Sequence, residues 1–235
     1  MQNIKGIIFD YGGTIDTNGV HWAEVIWEQY IEENVNISKE LFRETYVHGE
    51  RTLAKHPIIE PTDTFKVLLE KKIAIQFEYL RNTLYGNKFS LGQQTNISKG
   101  CYEKVVETLS TTRSIVEELS HRYPLVLVTN FYGNMPIVLN EFKLDKYFRK
   151  IVESSIVGLR KPDPALFALG VEALQRPANE IVVIGDSYRK DIYPANSLGC
   201  KTIWIKKLCW EDESIEAGKE PTAIIDDLTE LTQLL

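Results

Sequence analysis

Short apolar runs alternate with amphipathic stretches along most of this chain. Ile4, Gly6, Ile7, Ile8 and Phe9 form a nearly continuous apolar run. A strand buried on both faces of a parallel sheet has this pattern. Comparable runs at 124–128, 151–152, 181–184 and 202–205 predict further strands, with a short edge strand at 222–225. Helical spacing fills the gaps between them: Ile115, Val116 and Leu119; Ile137, Val138 and Phe142; 165–174 with proline near its start; Ala195 and Leu198, closed by Gly199. Strands alternating with helices predict an α/β fold with a doubly wound parallel sheet.

From about residue 20 to residue 100 the period is helical throughout. Val20, Ala23, Ile26, Trp27, Tyr30 and Ile31 lie on one face. Ser38 is placed to cap a second helix carrying Leu41, Phe42, Thr45 and Tyr46. Thr62 is placed to cap a third with Phe65, Leu68, Leu69, Ile73, Phe77 and Leu80, ended by Gly86-Asn87. A fourth runs through Tyr102, Val105, Val106 and Leu109, separate from the helix over 113–123. The expected division is an α/β core over 1–16 and 110–235, with an inserted helical bundle over 17–109.

Composition narrows the class. The chain has 235 residues, 43% hydrophobic and 26% charged, enough for one large domain or a core plus a smaller one. A net charge of −6 with no basic run argues against a nucleic-acid surface. No apolar run reaches membrane-spanning length, and the first apolar segment is too short for a signal peptide. Cys101, Cys200 and Cys209 lack metal-ligand spacing, and fit reduced thiols in a cytoplasmic protein.

Reactive side chains stand where the strands end. Asp10 follows the first strand and precedes Tyr11-Gly12-Gly13-Thr14, whose glycines allow a tight turn and close backbone approach to a ligand. Thr129-Asn130 follows the second strand, Lys161 lies in the loop after the third, and Asp186 with Asp191 follows the fourth. Loops after parallel strands share one sheet edge, so these groups are expected to converge. Asp10, Asp186 and Asp191 are hard oxygen ligands of the kind Mg²⁺ takes. Thr129 and backbone amides, with Gly13 and Asn130 beside them, suit phosphate oxygens, and Lys161 suits their charge. A carboxylate held against Mg²⁺ beside a phosphate can itself attack phosphorus.

In order, FDYGGTID, LVLVTN, GLRKPDPALF and IGDSYRKDI resemble the four motifs of the haloacid dehalogenase-like hydrolase superfamily. The resemblance covers the whole chain, since the helical insert lies where that family carries a cap. It implies Asp10 as nucleophile, Thr129 as phosphate-binding hydroxyl and Lys161 as catalytic cation. Asp186 is implied as metal ligand with Asp191 supporting it, and the Gly12 carbonyl as a further ligand of Mg²⁺. The implied substrate is a small phosphorylated metabolite, split through an aspartyl-phosphate.

One position departs from that pattern. The family's phosphatases carry a second Asp, the acid–base group, where this chain has Gly12. Metal and phosphate binding are expected to survive, while turnover loses a group contributing roughly 10²–10⁴-fold. An alternative reading is a weak or inactive phosphate-ligand-binding or regulatory protein. Another is a phosphonatase-like C–P hydrolase using a lysine of the insert, where Lys39, Lys55, Lys66, Lys71, Lys72, Lys88, Lys99 and Lys104 all read first as solvated. The dehalogenase branch, which dispenses with Mg²⁺, fits poorly with the intact Gly185-Asp186-Ser187. Replacement acids are sought among His21, Glu24, His48 and His56, each otherwise a surface or packing residue. Asp16 is expected to cap a turn, Tyr11 to pack or shield the site, and Trp22 and Trp27 to fill the bundle core.

Overall fold

The computed structural model describes residues 1, 3–83, 88–210 and 214–235. Its strands are β1 (Gly6–Phe9), β2 (Leu125–Thr129), β3 (Phe148–Glu153), β4 (Ile181–Gly185), β5 (Lys201–Ile205) and β6 (Ala223–Ile225). They form one parallel sheet in the order β3-β2-β1-β4-β5-β6. β1 sits at the reversal of strand order, where open α/β sheets leave a crevice beyond the strand ends. Phe9 is in register with Leu127 on one side and Ile184 on the other, so Asp10, Thr129 and Gly185 emerge together. β3 runs longer than the two apolar residues Ile151 and Val152 suggest, because its exposed Arg149 and Lys150 hide it from an apolar count.

The helices are α1 (Trp22–Glu32), α2 (Lys39–Lys55), α3 (Phe65–Arg81), α4 (Leu91–Arg122), α5 (Met135–Glu141), α6 (Ser154–Val157), α7 (Pro164–Leu174), α8 (Tyr193–Ser197) and α9 (Leu231–Leu234). Ile8, Val126, Val128 and Val183 turn toward Leu166, Phe167 and Ala195 on one face of the sheet. Ile7, Phe9, Leu125 and Leu127 pack on the other face, in a cluster that includes Ile115, Val116 and Leu119 of α4 and continues into the helical insert. This alternation is the two-residue period of a strand covered on both sides.

Three expectations need correction. Ser38 caps α2 as expected, but α3 is capped by Thr64, whose Oγ1 accepts from the Val67 N–H at 3.3 Å, and not by Thr62. The helices expected at 102–109 and 113–123 are one continuous α4. No glycine or proline interrupts 110–112, and the buried Thr112 hydroxyl is satisfied by the carbonyls of Ile15 and Thr108. The polypeptide thus passes residues 109 and 110 without a break in the helix. The polar stretch after β3 contains α6, closed by Gly158 in the left-handed region. Gly86-Asn87, expected to end the third helix, lies outside the described residues.

The segment after β5 returns to the entrance of the insert. Leu208 pairs with Val20, and Trp210 stacks on His21 with ring centroids 6.0 Å apart. Among the described residues no helix is long and apolar enough to cross a membrane, and Cys101, Cys200 and Cys209 are not joined in disulfides.

Candidate active site

Asp10 leaves β1 with its N–H bonded to the Ile184 carbonyl at 2.9 Å, which fixes it at the sheet edge. The residue is 5% exposed. The Lys161 ammonium lies 2.5 Å from Asp10 Oδ1 and 2.6 Å from Asp191 Oδ1, bridging the two. The Thr14 hydroxyl donates to Asp10 Oδ2 at 3.1 Å and lies 3.4 Å from Asp186 Oδ1. Oxygens of Asp10, Asp186 and Asp191 all lie within 4.8 Å of one another.

Two glycines make this crowding possible. Gly13 has φ of +93°, and a Cβ there would overlap the Asp186 carboxylate. A Cβ on Gly185 would overlap the side chain of Asp191. Asp191 is held from behind by the Ser187 N–H, 3.1 Å from its Oδ2, within a π-helical turn over Tyr188–Ile192.

Three carboxylates against one lysine leave excess negative charge. Burial pushes Asp10 up to about 6, with Lys161 opposing and Asp191 adding to the rise. Asp186 is raised well above the ordinary carboxylate range by burial, then by Asp10 and Asp191. Burial works against the Lys161 charge, but Asp10 and Asp191 outweigh it and raise the lysine. The set is all hard oxygen and short of positive charge, which fits a divalent cation such as Mg²⁺.

Every residue assigned from the sequence reaches this corner, though not all in the same way. Thr129, 1% exposed, ends β2 at the cavity. Asn130 is engaged with the main chain of Lys161: its Oδ1 accepts from the Lys161 N–H at 2.9 Å, and its amide donates to the Lys161 carbonyl at 3.2 Å. It thus positions the lysine. The Gly13 N–H donates to Asp16 Oδ1 at 2.8 Å, so Asp16 does cap the turn. Tyr11 packs edge-on against Phe65 and Phe131.

Between this sheet edge and the helical insert lies a cavity of about 120 Å³. Of the four replacement acids considered, only His21 lines it. Glu24 pairs with Lys39 at 3.0 Å, and His48 stacks on Tyr79. His21 is pushed down to about 4, chiefly by burial and then by Lys190. Trp22 also lines the cavity instead of only filling the bundle core, and donates from Nε1 to Asp16 Oδ2 at 2.9 Å. Its indole is the nearest group to the empty side of Gly12, with Nε1 3.8 Å from where a Cβ would stand.

Lys72 overturns its expected solvated placement. It is 5% exposed and pairs with Glu50 at 2.7 Å. Glu50, Tyr46 and Tyr132 join it around the cavity, and nothing in their local sequence marks them as site residues. The signal for Lys72 is a lysine inside the inward face that carries Leu68, Leu69 and Ile73.

The raised carboxylates set a stability trend for the metal-free protein. Asp16, fully buried, is pushed up to about 7 by burial despite its bonds from Gly13 and Trp22. In the folded chain Asp10 and Asp16 hold protons to about pH 6 and 7, whereas unfolded carboxylates release them near 4. Their contribution is complete below about pH 4 and is lost as pH rises through about 7. Urea denaturation in EDTA should show stability falling by on the order of 3 kcal/mol from pH 5 to pH 8. A flat profile would contradict this assignment.

A sequence model of the haloacid dehalogenase-like hydrolases matches residues 4–199. The chain belongs to this family. The family's relatives include a phosphoglycolate phosphatase of Vibrio parahaemolyticus, 28% identical over 100% of this chain and 97% of that one. A glyceraldehyde 3-phosphate phosphatase of Pyrococcus furiosus is 29% identical, over 40% of this chain and 39% of its own length. The chain therefore spans about two-fifths of several curated relatives it matches. Among solved structures, a HAD hydrolase from Bacillus subtilis bound to magnesium shares the fold with a TM-score of 0.58 and 17% identity, over 100% of this chain and 99% of that one. A dehalogenase shares it with a TM-score of 0.63 and 14% identity, over 100% of this chain and 98% of that one.

Proposed function

We propose that this hydrolase is a Mg²⁺-dependent phosphatase of small phosphorylated metabolites, cytoplasmic, with a core over 1–16 and 110–235 and a cap over 17–109. The observation that carries the reading is the convergence of Asp10, Thr129, Lys161, Asp186 and Asp191 on one cavity. Phosphatases among the relatives support it. Asp10, Asp186, Asp191 and the Gly12 carbonyl would hold Mg²⁺, which supplies charge compensation for the phosphate. Lys161 and Thr14 hold the two oxygens of Asp10, which keeps the carboxylate oriented for attack on phosphorus. Attack forms an aspartyl-phosphate as the ester P–O bond breaks and the departing alkoxide takes a proton from water; a water then attacks phosphorus and breaks the Asp10 O–P bond, which restores the carboxylate and releases phosphate. Thr129 and the Gly12-Gly13 turn face the phosphate oxygens, and Asn130 keeps the Lys161 loop in place. The insert covers the reacting atoms and excludes bulk water.

Phosphate release from sugar, nucleotide and aryl phosphates tests this. Wild type should turn over with Mg²⁺, and Asp10→Asn should lose at least about 10³-fold. Release that is equal in the two proteins, or indifferent to EDTA, would refute the proposal. Gly12, faced by an indole and not a carboxylate, favours a second reading, a phosphate-ligand-binding protein of negligible turnover. Robust Mg²⁺-dependent turnover of a metabolite would remove it. The phosphonatase alternative needs a neutral, nucleophilic cap lysine. Lys72 is the lysine of the insert that lines the cavity, and although burial opposes its charge, Glu50 raises it well above the usual lysine range. Such a lysine stays protonated and makes a poor Schiff-base nucleophile.

A further inference from the structure

The cavity's charges balance in a way that selects what can enter with the phosphate. The core side contributes Asp10, Asp186 and Asp191 against Lys161, Lys190 and Arg160. The cap side contributes one anion, Glu50, and one cation, Lys72. Formal charges over the whole lining sum to zero, but Arg160 and Lys190 are exposed and Lys161 is the cation in contact with Asp10 and Asp191.

The cap's two charges pair with each other without a ligand. Lys72 lies 2.7 Å from Glu50, with side chains 7% and 29% exposed respectively. The Tyr132 hydroxyl donates to Glu50 Oε2 at 3.0 Å. The ammonium also sits over the rings of Trp22 and Tyr132, 5.7 and 5.6 Å from their centroids. Its charge is already neutralised, and the more open partner is a carboxylate. A hydroxyl arriving beside Glu50 finds an acceptor. A second anion arriving on the cap side finds a like charge, with Lys72, the cap's cation at this cavity, already paired.

We propose that the Glu50–Lys72 pair makes this cavity selective for phosphate monoesters of small uncharged alcohols, with Glu50 as the residue that excludes leaving groups bearing their own carboxylate. The inference rests on the phosphatase reading for its reaction, and on the cavity alone for its selectivity.

Phosphonates separate the two. 3-Hydroxypropylphosphonate and 3-phosphonopropionate are similar in size and differ in carrying a hydroxyl or a carboxylate. Calorimetric titration of the wild-type protein in Mg²⁺ should give the hydroxylated ligand at least about tenfold higher affinity. Glu50→Gln leaves Lys72 without its counter-charge and should abolish or invert that ratio. Equal affinities in wild type, tighter binding of the carboxylated ligand, or no binding of either would overturn the proposal. An unchanged ratio in a folded Glu50→Gln protein would also overturn it. If that variant fails to fold, the wild-type ratio decides alone. Turnover is read separately with glycerol 3-phosphate and 3-phosphoglycerate. Selective binding with no hydrolysis of any ester sinks the phosphatase reading and supports this one. Hydrolysis of both with equal kcat/KM does the reverse.

Discussion

Lys161→Met is expected to destabilise the metal-free protein by about 3–5 kcal/mol at pH 7. For a chain of this length that lowers the thermal midpoint by on the order of 10 °C. The ammonium is 2% exposed and touches both Asp10 and Asp191, at 2.5 and 2.6 Å. Methionine fills similar space but leaves three crowded carboxylates facing one another, with Asp186 close by. Their protonation relieves the repulsion, so the loss should shrink as pH falls from 7 to 5. Phosphate release should vanish with the lysine, because Asp10 loses the group that orients it. Chemical denaturation of both proteins at the two pH values checks the stability part. An equal loss at both would mean that packing, not charge, is what Lys161 contributes.

Gly12→Asp is expected to raise phosphate release by roughly 10²–10⁴-fold. The backbone accepts the change: a Cβ at position 12 meets only Trp22 atoms, at 3.8 and 3.9 Å, which is ordinary contact. The new carboxylate would face the cavity beside the indole of Trp22. Steady-state release from one ester with Mg²⁺ measures the gain. Unchanged turnover would show that a group already present supplies the proton, with attention turning to the hydroxyls of Tyr46 and Tyr132. The same variant separates an assembled but slow site from one that does not bind phosphate esters at all.

Much of this architecture is local and legible in the order of residues alone. The apolar runs ending at Phe9, Val128 and Ile184 announce buried strands, because a strand covered on both faces has no solvated side to carry polar residues. The helical period of the insert follows in the same way from one apolar face per helix. Asp10, Thr129, Lys161 and Asp186 are legible because each stands just beyond a strand, or in a loop of that layer, and parallel strands end on one edge. Ser38 is readable as a cap, whereas Thr62 and Thr64 offer the same chemistry two residues apart. Only the backbone decides between those two.

What the sequence determined by itself is a doubly wound sheet with a helical insert and a cluster of acids, a threonine and a lysine on its ligand edge. What the tertiary structure decided lies between segments far apart in the chain. α4 runs unbroken over Leu91–Arg122, and its buried Thr112 hydroxyl meets the Ile15 carbonyl, 97 residues away in sequence. Lys72 sits in the inward face of its helix, but its partners appear only when α2 and the loop after β2 bring Glu50 and Tyr132 to it. Asp16 reads as a turn residue until α1 closes Trp22 over it. Periodicity records which side of an element is buried. It carries no record of which distant charge will meet that side, and electrostatic partners are chosen only when the elements pack.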